Sequence, residues 1–94
     1  MENKDKDELL QIRMKQGALI PGKITEEQFC FLIEMSSIRS EKMAKALQEH
    51  LVQGKSRIAV CEHYKLGSSH FSISMDRLQR LSHIAAMLSC YYRV

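Results

Sequence analysis

Apolar and polar residues follow one another along most of this chain with the spacing of helices that bury one side. In residues 41–53 the apolar positions are 43, 44, 47, 51 and 52, and in the last long segment they are 71, 75, 78, 81, 85 and 88. Steps of three and four keep these positions on one side of a helix. Residues 29–35, FCFLIEM, are apolar on nearly all sides. That pattern predicts a helix inside the core or an interface, with Cys30 in the core.

Small polar residues mark where the helices are expected to begin. Thr25, Ser40 and Ser56 each precede a helical segment, and their hydroxyls are suited to accept hydrogen bonds from the free N–H groups there. Ser68 or Ser69 is expected to cap the last helix, which runs for about twenty residues. The caps therefore separate helices beginning near residues 26, 41, 57 and 69.

The ends of the segments are less uniform. Gly54 follows the helix predicted for residues 41–53, at a place where a left-handed residue is expected. Residues 1–8 are charged and are predicted to form a frayed tail. Residues 9–16 show a weak apolar pattern, which predicts a short helix that ends near Gly17.

The composition supports a small all-helical domain. The chain has 94 residues, of which 45% are apolar, with one proline and four glycines. We expect about four to five helices, with residues 1–18 as tail and short helix and residues 19–94 as the helical domain. The charged start and the absence of a run of ~18 apolar residues predict a cytoplasmic protein with no membrane partner. Three widely spaced cysteines do not form a disulfide framework.

The charges are unevenly distributed between the two halves of the chain. Residues 1–53 contain eight Lys and Arg against nine Asp and Glu, whereas residues 54–94 contain six against two. This asymmetry indicates a polyanionic partner for the C-terminal half, although a solvated surface with a chance imbalance explains it equally well.

Residues 56–80 have the organisation of a helix-turn-helix unit, in which a short helix and a turn precede a longer helix. Such a unit needs apolar or small residues at fixed spacings where the two helices cross. Those positions are filled by Val60, Cys61, Tyr64, Leu66 and Phe71. Lys65 stands where a glycine often eases the turn. A helical hairpin with no nucleic-acid role shares this spacing, so both interpretations remain open.

The exposed positions of this unit favour DNA. Basic residues beside the first helix N-terminus suit a phosphate, and small serines let the second helix approach a groove closely. The candidate DNA-binding residues are Lys55, Ser56, Arg57, Lys65, Ser68, Ser69, His70, Ser72, Arg77 and Arg80. Asn, Gln and Arg are absent from the start of the second helix. Phosphate contacts and DNA shape are therefore expected to contribute more than base reading.

Other chemistry receives little support from the sequence. Cys61 and His63 are two residues apart on a helix and point in different directions, so with His70 they do not make a metal site. No nucleophile, base and orienting group come together, and no glycine-rich phosphate loop occurs. We expect no enzymatic activity, no metal and no cofactor.

Three stretches resemble the PapB-like family of fimbrial, or adhesin biosynthesis, transcription regulators. They are LIPGKITEEQFCFLIEMSSIRSEKM, LVQGKSRIAVCEHYKLGSSHFS and RLQRLSHIAAMLSCYY. The resemblance runs from about Leu19 to Tyr92. It implies an all-helical protein that binds AT-rich double-stranded DNA, through the minor groove, upstream of fimbrial genes. It also implies self-association into adjacent copies along the DNA, and hence association with the bacterial nucleoid.

The resemblance assigns roles to two residues and leaves one segment different. Arg57 and Cys61 match the family's SR..VC motif, which implies that Arg57 contacts DNA and Cys61 supports the helix crossing. Residues 68–70, Ser-Ser-His, depart from the family's pattern, so the preferred DNA site is expected to differ. The alternative hypothesis is a helical protein-interaction module or adaptor without direct DNA binding, whose FCFLIEM helix docks a partner.

Overall fold

A computed structural model describes the backbone of residues 2–93 and the side chains of residues 7–93. Five α-helices occur in this part of the chain: α1 (Glu2–Lys15), α2 (Glu26–Met35), α3 (Glu41–Leu51), α4 (Arg57–Tyr64) and α5 (Ser68–Leu88). A 3₁₀ helix, Ser89–Tyr91, follows α5, and these residues contain no strand. The prediction of a small all-α protein is therefore confirmed.

Side-chain caps fix the starts of α2, α3 and α4 as the sequence predicts. The Thr25 hydroxyl accepts a hydrogen bond from the backbone N–H of Gln28 at 3.0 Å. The Ser40 hydroxyl accepts one from the N–H of Met43 at 3.2 Å, and Ser56 caps α4 in the same way. Each bond satisfies one of the N–H groups that a helix leaves unpaired in its first turn.

The start of α5 differs from the prediction. Gly67 occupies the N-cap position and no side chain caps this helix, so the expectation that Ser68 or Ser69 is the cap is wrong. The backbone carbonyl of Gly67 accepts the first hydrogen bond of the helix, from the N–H of Phe71 at 3.0 Å, as the N-cap carbonyls of α2, α3 and α4 also do. Both serines lie in the first turn of α5 and are exposed, and their hydroxyls are not used to cap the helix.

Helix α1 begins at Glu2, so the prediction of a tail over residues 1–8 is wrong from that residue onward; Met1 lies outside the described residues. Leu9 and Ile12 are 61% and 51% exposed. This helix buries little apolar surface, and its Glu, Lys, Leu and Gln residues favour it by intrinsic propensity instead. The apolar pattern on which the prediction depended is therefore a weak guide here.

The end of α1 is attached to α5 by a close backbone contact. Gly17 has a φ of +91°, and a Cβ placed on it would lie 2.5 Å from the carbonyl oxygen of Ser82. Only glycine fits so close an approach without displacing the backbone.

The hydrophobic core is centred on α3, which packs against α2, α4 and α5. The apolar stripe predicted for α3 is largely buried, and α4 and α5 cover it from one side. The most deeply buried large side chains are Met43, Leu47, Leu51, Val60, Phe71 and Leu78. This core determines how α4 and α5 lie against each other.

Helix α2 buries only one side. Phe29 and Leu32 are buried, whereas Phe31 and Met35 are 59% and 52% exposed. Cys30 is also exposed, so its prediction as a core residue is wrong. The apolar residues of FCFLIEM surround the helix, but only the side facing α3 and α5 has neighbours to pack against.

The connection from α3 to α4 contains the predicted left-handed glycine, because Gly54 has a φ of +78°.

Within residues 2–93, each helix is either too short or too polar to span a bilayer.

Candidate nucleic-acid interface

The starts of α4 and α5 are electrostatically unlike those of α2 and α3. Glu26 and Glu27 lie in the first turn of α2, and Glu41 lies in the first turn of α3. The first turns of α4 and α5 contain no acidic residue. A helix N-terminus carries a partial positive charge, which a carboxylate in the first turn partly neutralises. The positive ends of α4 and α5 therefore remain available to an external anion.

Ser56 and Arg57 form the start of α4. The Ser56 hydroxyl accepts from the backbone N–H of Ala59 at 3.1 Å, which uses its oxygen and leaves its proton free to donate. Arg57 is exposed, and its guanidinium carbon lies 5.4 Å from the centre of the Phe71 ring. This cation–π contact holds the guanidinium beside α5 while its N–H groups remain directed to solvent.

A narrow groove of about 80 Å³ lies between the first turns of α4 and α5. It is lined by Arg57, Ile58, Cys61, Ser68, Phe71 and Ser72. Arg57 provides the cationic group and the two serines provide hydroxyls, and no carboxylate lines the groove. The structure thus brings residues from the starts of both helices together around one small, positively polarised opening.

Lys65, Leu66 and Gly67 connect α4 to α5. Lys65 is the only non-glycine residue with a positive φ (55°) between residues 2 and 93. The N–H of Leu66 donates to the carbonyl of Cys61 at 2.9 Å, which closes the end of α4. A lysine in this position is strained relative to glycine, and the residue is exposed.

The residues predicted to support the helix crossing differ in burial. Val60 and Phe71 are each 1% exposed and belong to the core. Cys61, Tyr64 and Leu66 are partly buried and pack against that core. Among them, Cys61 also lines the groove between the two helices.

The side chain of Lys55 forms a salt bridge within the protein. Its ammonium group lies 2.6 Å from a carboxylate oxygen of Glu49, whose side chain is only 16% exposed. The other carboxylate oxygen of Glu49 accepts from the Tyr64 hydroxyl. The Lys55 and Tyr64 hydrogen bonds hold the pKa of Glu49 below its usual value, and the bond to Glu49 raises the pKa of Tyr64. These contacts connect the end of α3 to both ends of α4.

The partial neutralisation of Lys55 by Glu49 was missed by sequence reasoning. The two residues lie on opposite sides of the α3 C-terminus, so no i,i+4 spacing indicates the pair. The backbone carbonyl of Lys55 is also held, because it lies 2.7 Å from Nδ1 of the buried His50. The burial of His50 could have been predicted from spacing, because it lies seven residues after Met43 and three after Leu47, on the buried side of α3.

Arg77 and Arg80 lie apart from the groove. A guanidinium nitrogen of Arg77 donates to the Ser37 hydroxyl at 3.0 Å, on the side of α5 that faces the α2–α3 connection. Arg80 lies in an open depression between α5 and the end of α1. Asp76 and Arg80 are four residues apart on α5, but they do not form a salt bridge in the structure of residues 7–93. Of the ten candidate residues, Arg57, Ser68 and Ser72 line the groove, whereas Arg77 and Arg80 lie apart from it.

No group of three or more His, Cys, Asp or Glu side chains comes close enough to hold a metal ion in the described part of the chain. His70 lies in the first turn of α5 and is exposed.

The family model and the curated proteins that match this chain are all regulatory proteins. Residues 1–92 match the family described as adhesin biosynthesis transcription regulatory protein. The chain is 40% identical over 81 residues to the Escherichia coli major pilus subunit operon regulatory protein PapB, covering 86% of this chain and 78% of that protein. It is 41% identical over 64 residues to the E. coli regulatory protein FanB, covering 68% of this chain and 65% of FanB.

A solved structure is also similar. The crystal structure of E. coli FocB superposes with a TM-score of 0.78 at 38% identity, covering 93% of this chain and 99% of FocB. The similarity includes nearly the whole helical arrangement described above.

Proposed function

Because the chain belongs to the adhesin biosynthesis transcription regulatory protein family, we propose that it regulates transcription by binding DNA through a helix-turn-helix unit formed by α4 and α5. Members of this family are transcription regulators, which are not enzymes. The observation that carries the proposal is Arg57, an exposed guanidinium held against Phe71 beside two helix starts that lack carboxylates.

The preferred DNA is AT-rich and the contact is made in its minor groove. The groove between α4 and α5 presents one arginine and two serines but no side-chain amide for reading bases. A-tracts have a narrow minor groove with enhanced negative potential, which attracts an inserted arginine. Recognition then depends on the shape of the duplex more than on base edges.

Several copies bind side by side. One domain of this size contacts few base pairs, so neighbouring copies raise the overall affinity through effective concentration. Exposed apolar residues on α2 and at the end of α5 are the candidate contacts between copies. They are Phe31, Met35, Met87, Leu88, Tyr91 and Tyr92. The protein acts at the nucleoid, in the cytoplasm.

The most informative experiment is a gel-shift titration on AT-rich and GC-rich duplexes with competitor drugs of known groove. We expect tighter binding to the AT-rich duplex and displacement by minor-groove drugs. If each copy makes about four phosphate contacts, the log–log salt slope is about −3.6 per copy. Displacement by major-groove drugs alone would show that the groove assignment is wrong.

The same titration separates this proposal from a protein-interaction module. The exposed side of α2 would also suit a protein partner, with Phe31 and Met35 as its apolar contacts. In that case the wild-type protein binds neither duplex in a salt-dependent way, and Arg57 is a solvated bystander.

A further inference from the structure

Outside the groove, an open depression of about 430 Å³ lies between the end of α1 and the middle of α5. Its charged and polar lining includes Arg13 from α1 and Asp76, Gln79, Arg80 and His83 from α5. Two guanidinium groups from distant parts of the chain therefore lie around one opening.

Specific contacts hold the two walls of this depression together. Gln79 accepts from the backbone N–H of Leu19 at 2.9 Å and donates to the carbonyl of Gly17 at 2.8 Å. Nδ1 of His83 lies 2.9 Å from the carbonyl oxygen of Gln16 and donates its proton to it. With the close approach of Gly17 to α5, these bonds fix the end of α1 and hence the position of Arg13.

Neither arginine forms an ion pair with the side chains of residues 7–93. The salt bridge formed among these side chains is that of Lys55 with Glu49, so no carboxylate of this range lies within 4.0 Å of Arg13 or Arg80. Asp76 also lines the depression but stays beyond that distance. Two like charges placed around one opening repel each other, and the single carboxylate of Asp76 in that opening offsets only one of them.

The depression and the groove are connected along α5. Ser69, Ser72, Asp76 and Arg80 follow one another at steps of three and four along the exposed side of α5. This row runs from the groove at the α4 start to the depression. At about 1.5 Å per residue, Ser68 and Arg80 are about 18 Å apart along the helix axis. At about 3.4 Å per base pair, that distance corresponds to about five base pairs of duplex.

We infer that Arg13 and Arg80 form a second contact with the DNA backbone, about half a helical turn from the contact made by Arg57. The inference rests on the proposed function, because the ligand is the phosphodiester backbone of the same duplex. It assigns a DNA-binding role to α1, a segment for which the sequence pattern predicted none. The contact is to phosphate, so it strengthens binding equally on AT-rich and GC-rich DNA.

The test compares Arg13→Ala with Lys15→Ala in duplex titrations over a range of salt concentrations. Both changes remove one positive charge from the last turn of α1, but Lys15 does not line the depression. We expect Arg13→Ala to weaken binding roughly three- to ten-fold at low salt and to reduce the salt slope by about 0.9 on both duplexes. Lys15→Ala should have a much smaller effect.

Two further variants on α5 make the test independent of α1. Arg80→Ala should reproduce the loss of affinity, and Asp76→Asn should increase affinity because it removes the negative charge from the same depression. Melting temperatures close to wild type will show that the variants are folded. Equal effects of Arg13→Ala and Lys15→Ala would overturn the inference while leaving the proposed function intact. Failure of the wild-type protein to bind any duplex would instead overturn the proposed function.

Discussion

The first turns of α2 and α3 contain carboxylates that stabilise the helix itself, whereas the first turns of α4 and α5 leave the partial positive charge of the helix N-terminus unneutralised. The first two combine a hydroxyl cap with glutamates in the first turn. Helix α4 combines the same kind of cap with Arg57, and α5 begins at Gly67 with exposed serines and no side-chain cap. Helices α4 and α5 therefore lack the stabilisation that a first-turn carboxylate provides. A bound polyanion would supply that negative charge from outside the protein.

The largest expected effect comes from giving α4 the same kind of start as α2. Arg57→Glu should reduce duplex affinity by about 3 kcal/mol or more, because it removes a groove contact and repels phosphate. The free energy of unfolding should stay the same or rise by about 0.3–1 kcal/mol, because a carboxylate in the first turn favours the helix. Duplex titration and urea denaturation measure the two quantities.

Arg57→Lys is the control, since it keeps the charge but loses the planar guanidinium that stacks on Phe71. It should lie between wild type and Arg57→Glu in affinity. If Arg57→Glu bound DNA like wild type, the contrast between the two pairs of helices would have no functional meaning.

Removing matched caps sharpens the comparison. Ser40→Ala and Ser56→Ala each delete one hydrogen bond to a first-turn N–H and should each reduce stability by about 1 kcal/mol. Only Ser56→Ala should also weaken duplex binding, because it frays the turn that carries Arg57. Thermal melting and gel shifts on the same samples test this, and equal DNA affinities for the two variants would contradict it.

The connections that precede α4 and α5 also differ. Gly54 adopts its left-handed conformation freely, whereas Lys65 has a φ of 55°. Lys65→Gly should raise the free energy of unfolding by about 1 kcal/mol by relieving that strain. Lys65→Ala is the control, because it removes the same charge and keeps the strain. A melting temperature for Lys65→Gly no higher than that of Lys65→Ala would show that the turn is not strained.

The two basic residues on either side of Ser56 should not be equivalent. Lys55→Ala should weaken duplex binding by less than about 1 kcal/mol, because Glu49 already partly neutralises the ammonium group. Glu49→Gln should increase affinity slightly by releasing it. A loss with Lys55→Ala as large as that with Arg57→Ala would refute the distinction between the two residues.

The smallest expected effect is the pH dependence of this internal pair. The folded protein holds the pKa of Glu49 below its usual value of 4.5, mainly through Lys55 and then Tyr64. The contribution to stability is therefore complete above pH 4.5 and is lost as the pH falls through the lower folded-state pKa. Urea midpoints measured across this range should fall less steeply for Glu49→Gln than for wild type, and identical curves would contradict the prediction.

The sequence predicts those parts of the fold that depend on near neighbours. The caps at Thr25, Ser40 and Ser56 and the buried stripe of α3 follow from spacing alone. The part of α1 in residues 2–8 was missed because that helix is favoured by propensity and buries little apolar surface.

In the candidate site, too, contacts between near neighbours in the sequence can be predicted and contacts between distant residues cannot. The residues around the groove are close in sequence, and their proximity follows from the two helix starts. The contact of Arg77 with Ser37 and the meeting of Arg13 with Arg80 join residues far apart in the chain. No local pattern contains that information, because it depends on how α5 packs against the remaining helices.

The central claim is that the positive charge at the starts of α4 and α5 binds the DNA backbone. The salt dependence of duplex binding tests this claim most directly. We expect the log–log slope to become less steep by about 0.9 for Arg57→Ala relative to wild type, and to change little for Lys55→Ala. Equal slopes for wild type and Arg57→Ala, on a duplex that both proteins bind, would contradict the claim.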